Sequence, residues 1–269
     1  MDDLRPVPPA VPTAPGFYAV TVAGVIVLSP HLVRITLIGE DLTGLAADGP
    51  AAQVKLVFPA PGQDHPTLPV AGPDGLAWSP GQPLPVLRTY TPRRFDPVGG
   101  ELDIDFVLHD RGGTASTWAR GARPGDPLVV AAGRGRYHPD PAADWHLIAG
   151  DETALPAIAT IVAALPADAL ATVLVEVPGV DERLPLDSPA PLRTTWLCRY
   201  GDEPGTPLER AVRALDLPPG EGRVFVAAEA AAVRRIRRYL MTECGLGKDR
   251  LHTRGYWVAG RDASGAGIG

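Results

Sequence analysis

The 269-residue sequence has only two cysteines, Cys198 and Cys244. Two cysteines cannot form a disulfide framework, and we expect both thiols to stay reduced. No set of cysteines and histidines has the spacing of metal ligands, so a protein-bound zinc or iron–sulfur site is not expected. The chemistry of the protein should therefore need neither disulfides nor a resident metal.

A net positive charge and long apolar runs are also missing. The formal net charge is −6 and the pI is near 5.5, which argues against a nucleic-acid-binding surface. No apolar run reaches the length of about 18 residues that a transmembrane helix needs, and the N-terminus lacks the pattern of a signal peptide. With 45% hydrophobic and 21% charged residues, we expect a globular cytoplasmic protein, taken as a monomer.

Proline and glycine, by contrast, are abundant, with 31 and 30 residues. The Pro-rich residues 1–16 are predicted to be a flexible tail, because proline opposes both helix and central strand. The Gly- and Ala-rich end, residues 261–269, is predicted to be a second flexible tail.

Residues 17–138 have the pattern of β-structure: short stretches rich in Val, Ile, Leu and Thr, separated by Gly, Pro and Asp. The predicted strands are Tyr18–Leu28, Leu32–Ile38, Gln53–Phe58, Val86–Thr91, Glu101–Leu108 and Leu128–Ala131. Six such strands with few helices predict a six-stranded antiparallel β-barrel. The region Pro59–Pro85 is predicted to be an insertion, functional or disordered.

Residues 139–260 alternate between strand and helix patterns, which predicts a parallel α/β sheet. The predicted strands are Trp145–Ala149, Ala171–Val177, Leu192–Cys198, Arg223–Ala228 and Arg250–Trp257. The predicted helices are Thr153–Leu165, Pro207–Leu215 and Ala230–Cys244. Ligands of such sheets lie beyond the carboxyl ends of the strands.

The segment Arg88-Thr89-Tyr90-Thr91 has the composition of a flavin clamp. A flavin needs a cation for its pyrophosphate, an aromatic ring beside the isoalloxazine, and a hydroxyl or N–H near its nitrogens. Successive side chains of a strand point to opposite faces, so Arg88 and Tyr90 are expected to flank one ligand. For this segment alone, a solvent-exposed strand edge without a ligand is an equally good interpretation.

Two further segments have the layout of phosphate-binding turns. In Asp105–Ala119 a strand leads through Gly112-Gly113-Thr114 into a helix, whose N-terminal N–H groups favour an anion. In Gly150–Ala157 a glycine turn follows a buried strand, although the Gly-x-Gly-x-x-Gly fingerprint is missing. For both segments an ordinary capped turn remains the alternative.

The last predicted strand ends in Gly255-Tyr256-Trp257. Two aromatic rings at the carboxyl end of an α/β sheet could cover a flavin or a nicotinamide, or could instead pack between the domains.

Taken in this order, the segments resemble one family, the siderophore-interacting proteins, which are flavin-dependent ferric-siderophore reductases of bacteria. Their fold is similar to that of ferredoxin–NADP reductases. The resemblance covers about residues 17–260 and is most specific in Asp105–His109 and Gly150–Ala157. It also includes Val54–Leu56 and Trp196–Arg199, whereas Arg88–Thr91 is shared by the wider superfamily.

The resemblance implies FAD on the barrel and NADPH or NADH on the parallel sheet, with no catalytic side chain. The residues implied at FAD are Arg88, Thr89, Tyr90, Thr91, Asp105, Val107, His109, Gly112, Gly113, Thr114, Ser116, Thr117 and Trp257. Those implied at the nicotinamide dinucleotide are Asp151, Glu152, Thr153, Ala154, Pro156 and Arg199. Lys55 is implied at the open flavin face, where it would receive an anionic ferric siderophore; an ordinary exposed lysine is the alternative.

The sequence departs from the family pattern at two places. The family usually has Gly-Glu before the long late helix, where this chain has Ala228-Glu229, and commonly has Pro where this chain has Thr114. Arg199 suits a 2′-phosphate and Glu176 a 2′-hydroxyl, and we favour NADPH over NADH.

Two other functions fit the same sequence. The barrel and α/β arrangement also serves reductases that pass electrons to a protein partner or to free flavin. A module that carries flavin or an iron complex without catalysis is the third hypothesis, although it would leave the dinucleotide-type turns unexplained.

Overall fold

The N-terminal half of the chain folds as a strongly curled antiparallel sheet. The computed structural model describes residues 14–47, 49–72, 75–109, 113–133 and 135–260. Gly112, residues 1–13 of the first predicted tail and all of the second therefore lie outside the described residues. The strands of this half are β1 (Phe17–Ser29), β2 (Leu32–Ile38), β3 (Val54–Phe58), β4 (Val70–Gly72), β5 (Gly75–Ala77), β6 (Val86–Tyr90), β7 (Pro92–Asp96), β8 (Glu101–Val107) and β9 (Pro127–Ala132), with helix α1 at Thr114–Gly121.

Seven of these strands form one sheet in the order β6-β3-β9-β1-β2-β8-β7. Its two outer strands, β6 and β7, are consecutive in the chain and separated only by Thr91. This link brings the two edges of the sheet together, so the sheet curls into a barrel. The antiparallel barrel is confirmed, but the expected count of six strands is wrong.

The missing strand is β7, Pro92–Asp96. It begins with proline and continues with two arginines, a composition that hides a strand in the sequence. Proline is tolerated because it occupies the first position, where its missing N–H is not needed by the ladder. The region Pro59–Pro85, expected as an insertion, contains the small hairpin β4–β5.

The barrel core is apolar and closed on both faces of β8. Leu102, Ile104 and Phe106 are fully buried and alternate along that strand. The intervening aspartates are buried as well, because Arg34 donates to both oxygens of Asp105 at 2.7 and 2.9 Å, and other basic and hydroxyl groups pair with Asp103.

The C-terminal half is a parallel sheet in the order β12-β11-β10-β13-β14. Its strands are β10 (Trp145–Asp151), β11 (Ala171–Val177), β12 (Leu192–Cys198), β13 (Gly222–Glu229) and β14 (Leu251–Trp257), and its helices are α2 (Leu155–Ala163), α3 (Thr206–Arg213) and α4 (Ala230–Thr242). The predicted helix Thr153–Leu165 starts instead with a 3₁₀ turn, Glu152–Ala154, before α2. The parallel α/β half is thus confirmed. None of the helices in the described ranges is long and apolar enough to span a membrane.

The two halves pack against each other through α2 and through several polar contacts. Leu32 and Ala51 of the barrel share a core cluster with α2 residues, and the Ala51 N–H donates to Thr160 Oγ1 at 3.0 Å. At the end of β1, Ser29 Oγ donates to the buried Glu182, and His31 Nδ1 lies 2.5 Å from the same carboxylate. These contacts fix the barrel relative to the carboxyl ends of the parallel strands.

Candidate functional site

A cleft of about 1020 Å³ runs between the barrel and the carboxyl ends of the parallel strands. Its barrel wall comes from β6, β8 and the start of α1, and its second wall comes from the ends of β10, β12 and β14. Carboxyl strand ends gather at this edge because the strands are parallel. Segments far apart in the sequence therefore meet in one cavity.

All four residues of the Arg88–Thr91 segment line the cleft. On β6, Arg88 and Tyr90 pair with the buried Leu56 and Val54 of β3, so the alternation expected from the sequence is present. The Tyr90 ring packs on Phe106 at a centroid distance of 4.6 Å. Burial raises the pKa of Tyr90, so its hydroxyl stays protonated.

Lys55 lies on the other face of β3 and is not among the residues lining the cleft. Its Nζ donates to Thr89 Oγ1 at 2.7 Å, so it stands at the rim beside a lining residue. Partial burial, and then the charge of Arg254, lowers the pKa of Lys55. A lysine in such a position gains from a neighbouring anion.

The β8–α1 connection supplies the next part of the barrel wall. Asp105, Val107, His109, Gly113 and Ser116 line the cleft. Gly113 has a φ of 108° and precedes α1, a conformation that suits glycine. The His109 N–H donates to Ser116 Oγ at 3.0 Å, which ties the strand end to the helix start.

The remaining residues predicted at FAD on α1, Thr114 and Thr117, are on the helix but not among those lining the cleft.

On the wall opposite the barrel, Glu152, Thr153 and Pro156 line the cleft, whereas Asp151 and Ala154 lie behind it. Asp151 is 1% exposed. Burial and then the charge of Glu152 raise its pKa to about 7.

Arg199 also lines this wall and is held by two carboxylates. Its guanidinium donates to both oxygens of Glu152, at 2.7 and 2.5 Å, and to Glu176 Oε1 at 3.1 Å. Burial alone would lower the pKa of Arg199, but the hydrogen bonds and charges of Glu152 and Glu176 raise it, so the side chain stays charged.

Glu176 is fully buried and does more than pair with Arg199. Its two oxygens accept from the backbone N–H groups of Gly205 and Leu208, at 2.7 and 2.9 Å. These N–H groups belong to the start of α3, so the carboxylate caps that helix. The alternative of a ribose-binding acid at Glu176 would require breaking these bonds.

The last strand contributes Arg254, Gly255, Tyr256 and Trp257 to the cleft. Sequence reasoning singled out the two aromatics but missed Arg254, although it lies two residues before Tyr256 and so on the same face of β14. It also missed Gln53 and the loop after Arg199.

The cleft has the donors that FAD requires. Arg88 supplies a cation, Tyr90 an aromatic ring, and Thr91 a hydroxyl, while Gly113 opens the N-terminus of an eight-residue helix without a side-chain cap. Such a helix start accepts phosphate. The cavity has a volume of about 1020 Å³ and is lined on its other side by charged side chains, those of Glu152, Arg199 and Arg254.

A barrel joined to a parallel sheet, with a cleft between them, defines the class of protein. The ferredoxin reductase of a carbazole 1,9a-dioxygenase has the same fold, with a TM-score of 0.63 over 93% of this chain and 71% of that chain at 16% identity. The chain thus has the ferredoxin-reductase fold.

Within that class the chain belongs to the siderophore-interacting protein family. The family's FAD-binding domain, described as "Siderophore-interacting FAD-binding domain", matches residues 21–137, and the "Siderophore-interacting protein" model matches residues 143–260. The protein is accordingly built around an FAD-binding domain.

Three relatives illustrate the likeness. The crystal structure of a siderophore utilization protein from T. fusca matches with a TM-score of 0.82 and 40% identity, over 91% of this chain and 94% of that chain. The ferric vibriobactin reductase ViuB of Vibrio cholerae is 33% identical, with 87% of each chain covered. The NADPH-dependent ferric-chelate reductase of Escherichia coli is 31% identical, covering 90% of this chain and 93% of that one.

Proposed function

We propose that the protein is an FAD-containing, NADPH-dependent reductase of ferric siderophores that acts in the cytoplasm as a monomer. The observation that carries the proposal is the cleft in which the barrel wall with Arg88 and Tyr90 faces a charged wall of parallel strand ends. Two cofactors that must exchange electrons need such a shared cavity. The reductase activities of the Vibrio and Escherichia relatives support the same conclusion.

On the barrel wall, Arg88 would neutralise the pyrophosphate of FAD, and the α1 start at Gly113 would bind phosphate oxygens. Tyr90 would lie against the isoalloxazine, its ring held in place by Phe106. Thr89 and Thr91 would supply hydroxyl bonds. Among the chain's own residues, none needs to transfer a proton in this scheme.

On the facing wall, the Thr153–Pro156 turn and Arg199 would receive the nicotinamide dinucleotide. Arg199 is charged and lies at the cleft surface, where a 2′-phosphate would replace part of its pairing with Glu152. Glu176 is engaged by Gly205 and Leu208, so it is not available to a 2′-hydroxyl. These two facts favour NADPH over NADH.

The substrate would meet the rim formed by Lys55 and Arg254. The charge of Arg254 lowers the pKa of Lys55, so the two cations lie near each other. Because like charges close together are unfavourable, an anionic chelate between them gains from both. Siderophores hold ferric iron far more tightly than ferrous iron, so reduction releases the metal.

FAD, when bound, takes two electrons from a nicotinamide and can give them up one at a time, which matches the one-electron reduction of ferric iron. The protein's part is to bind both partners, to orient them and to position cations at the rim.

The test is an anaerobic assay of the FAD-loaded protein with NADPH, a ferric siderophore and a ferrous chelator. We expect the coloured ferrous complex to form well above the protein-free control, and faster than with NADH. No complex above that control would overturn the proposal, and faster turnover with a ferredoxin than with any ferric chelate would point to a protein acceptor instead.

A variant sharpens the assay at the rim. Lys55→Ala should raise the KM for an anionic ferric siderophore about fivefold to tenfold, the size of one charge-assisted contact at a partly exposed site. Reduction of bound FAD by NADPH should not change, because Lys55 lies outside the cleft. Exposed Arg193→Ala on β12 is the matched control.

A further inference from the structure

One buried carboxylate joins three strand ends on the wall opposite the barrel. Asp151 ends β10, Glu229 ends β13 and Trp257 ends β14. The Asp151 side chain lies behind the cleft surface, whereas Trp257 and the Thr153 turn line it. Asp151 is therefore placed to act on the cleft only through its neighbours.

Both oxygens of this carboxylate are fully used as acceptors. Oδ2 accepts from the Trp257 indole Nε1 at 2.7 Å and from the Glu229 N–H at 3.0 Å. Oδ1 accepts from the N–H and the hydroxyl of Thr153, at 3.0 and 2.5 Å. One oxygen thus holds the aromatic ring and the other holds the turn that would bind the dinucleotide.

The four donors are an indole, a hydroxyl and two backbone N–H groups, and all are neutral. A carboxylate buried in this way has lost its hydration and depends on these bonds for stability. Removing the acceptor would leave the indole N–H without its partner, and the ring would lose its fixed place.

We propose that Asp151 is a positioning residue. It holds the Trp257 ring beside the Thr153 turn and so sets where the nicotinamide can enter the cleft. This inference rests on the proposed function for its last step. The bond between Asp151 and Trp257 does not depend on that function, and it can be tested in the protein without ligands.

Protonation should weaken the arrangement. The ionisable groups that surround the carboxylate are Glu152 on the adjacent turn, Glu229 on β13 and Tyr256 on β14. Burial and Glu152 raise the pKa of Asp151 to about 7. A proton on either carboxylate oxygen occupies one of its acceptor sites. One of the four N–H or O–H groups then faces an O–H instead of a lone pair, so its hydrogen bond must break.

The test uses the apo protein labelled with ¹⁵N at tryptophan. Trp257→Phe assigns the indole signal of Trp257 by its disappearance. In Asp151→Asn we expect that signal to move and its N–H to exchange with solvent about tenfold faster, the factor that equals about 1.4 kcal/mol. Asp168→Asn, an exposed aspartate before β11, is the control and should leave the signal unchanged.

A second measurement needs no variant. In the wild-type apo protein, the Trp257 indole signal should titrate with a midpoint near the raised pKa of Asp151, about 7. A Trp257 signal that neither moves in Asp151→Asn nor titrates between about pH 5 and pH 8 would overturn the inference.

Kinetics then test the link to the reaction. With the protein saturated with FAD, Asp151→Asn should lower kcat for NADPH oxidation about tenfold, because the displaced Trp257 ring no longer sets the position of the nicotinamide. If the indole signal responds as expected but kcat is unchanged, Asp151 does not set where the nicotinamide enters the cleft. Absence of any NADPH oxidation in the wild type would count against the proposed function and leave the Asp151–Trp257 bond standing.

Discussion

The two walls of the cleft are built in different ways. The barrel wall consists of one strand end and one strand-to-helix turn, each continuous in the sequence, and presents Arg88, Tyr90 and the α1 start to the cavity. The opposite wall joins four strand ends through buried carboxylates: Asp151 ties β10 to β13 and β14, and Glu176 on β11 ties Arg199 to the start of α3. We therefore expect a substitution on the barrel wall to affect one local segment, whereas a substitution of Asp151 or Glu176 should disturb several strands and helices at once.

Among the substitutions, the largest expected loss of stability follows from a change in the second wall. Glu176→Gln should lower the free energy of unfolding by about 3 kcal/mol, because a buried charge pair loses one partner and two backbone donors compete for one remaining acceptor. Urea unfolding measures it. The exposed pair of Glu243 with Arg213 at 3.2 Å is the control, and Glu243→Gln should cost less than about 1 kcal/mol. Equal costs for the two variants would contradict the comparison.

The next effect concerns the barrel wall. Arg88→Ala should weaken FAD binding about tenfold to a hundredfold, the usual range for one charge-assisted hydrogen bond, and should leave the melting temperature nearly unchanged. Titration of the apo protein with FAD, followed by flavin fluorescence, gives the affinity. Undiminished affinity would mean that the pyrophosphate lies elsewhere.

These two variants also show how far sequence reasoning reached. That Arg88–Thr91 and Gly113 line one cleft could be predicted, because each lies in a run of adjacent residues with its own physical meaning. The roles of Asp151 and Glu176 were not, because both depend on partners brought together by the parallel sheet, such as Trp257 and Gly205. Asp151 was predicted to contact the dinucleotide, and it lies behind the cleft surface.

The departure at Ala228-Glu229 has a similar explanation. Glu229 caps α4 by accepting from the Ala232 N–H at 2.9 Å, and its own N–H donates to Asp151. Ala228 is fully buried within β13, where an alanine side chain is accommodated. The end of β13 thus makes these hydrogen bonds with alanine at position 228, where the family usually has glycine. Strand β7 was likewise not predicted, because proline and two arginines are unusual in a strand. It forms because it pairs with β8 at the edge of the curled sheet.

A smaller effect separates the two nicotinamide donors. Arg199→Lys keeps the charge but loses the planar fork, so the KM for NADPH should rise about tenfold while that for NADH changes little. Steady-state kinetics with both donors measures the ratio. Equal rises for both donors would show that Arg199 supports the wall through Glu152 and Glu176 without reading the 2′-phosphate.

The last prediction concerns the dependence of stability on pH. Burial and Glu152 raise the pKa of Asp151 from 3.8 to about 7. An acid whose pKa is higher in the folded state contributes stability below its unfolded pKa and loses it as the pH rises through the folded pKa. The wild type should therefore lose more stability than Asp151→Asn between about pH 4 and pH 7, measured by urea unfolding at several pH values. Parallel curves for the two proteins would contradict the raised pKa.

The central claim is that both walls serve one electron path, and sequential anaerobic spectroscopy tests it most directly. The protein loaded with FAD should lose its visible absorbance on addition of NADPH and regain it on addition of a ferric siderophore, with ferrous iron captured by a chelator. Loss of absorbance without recovery, at any ferric siderophore tried, would contradict the account.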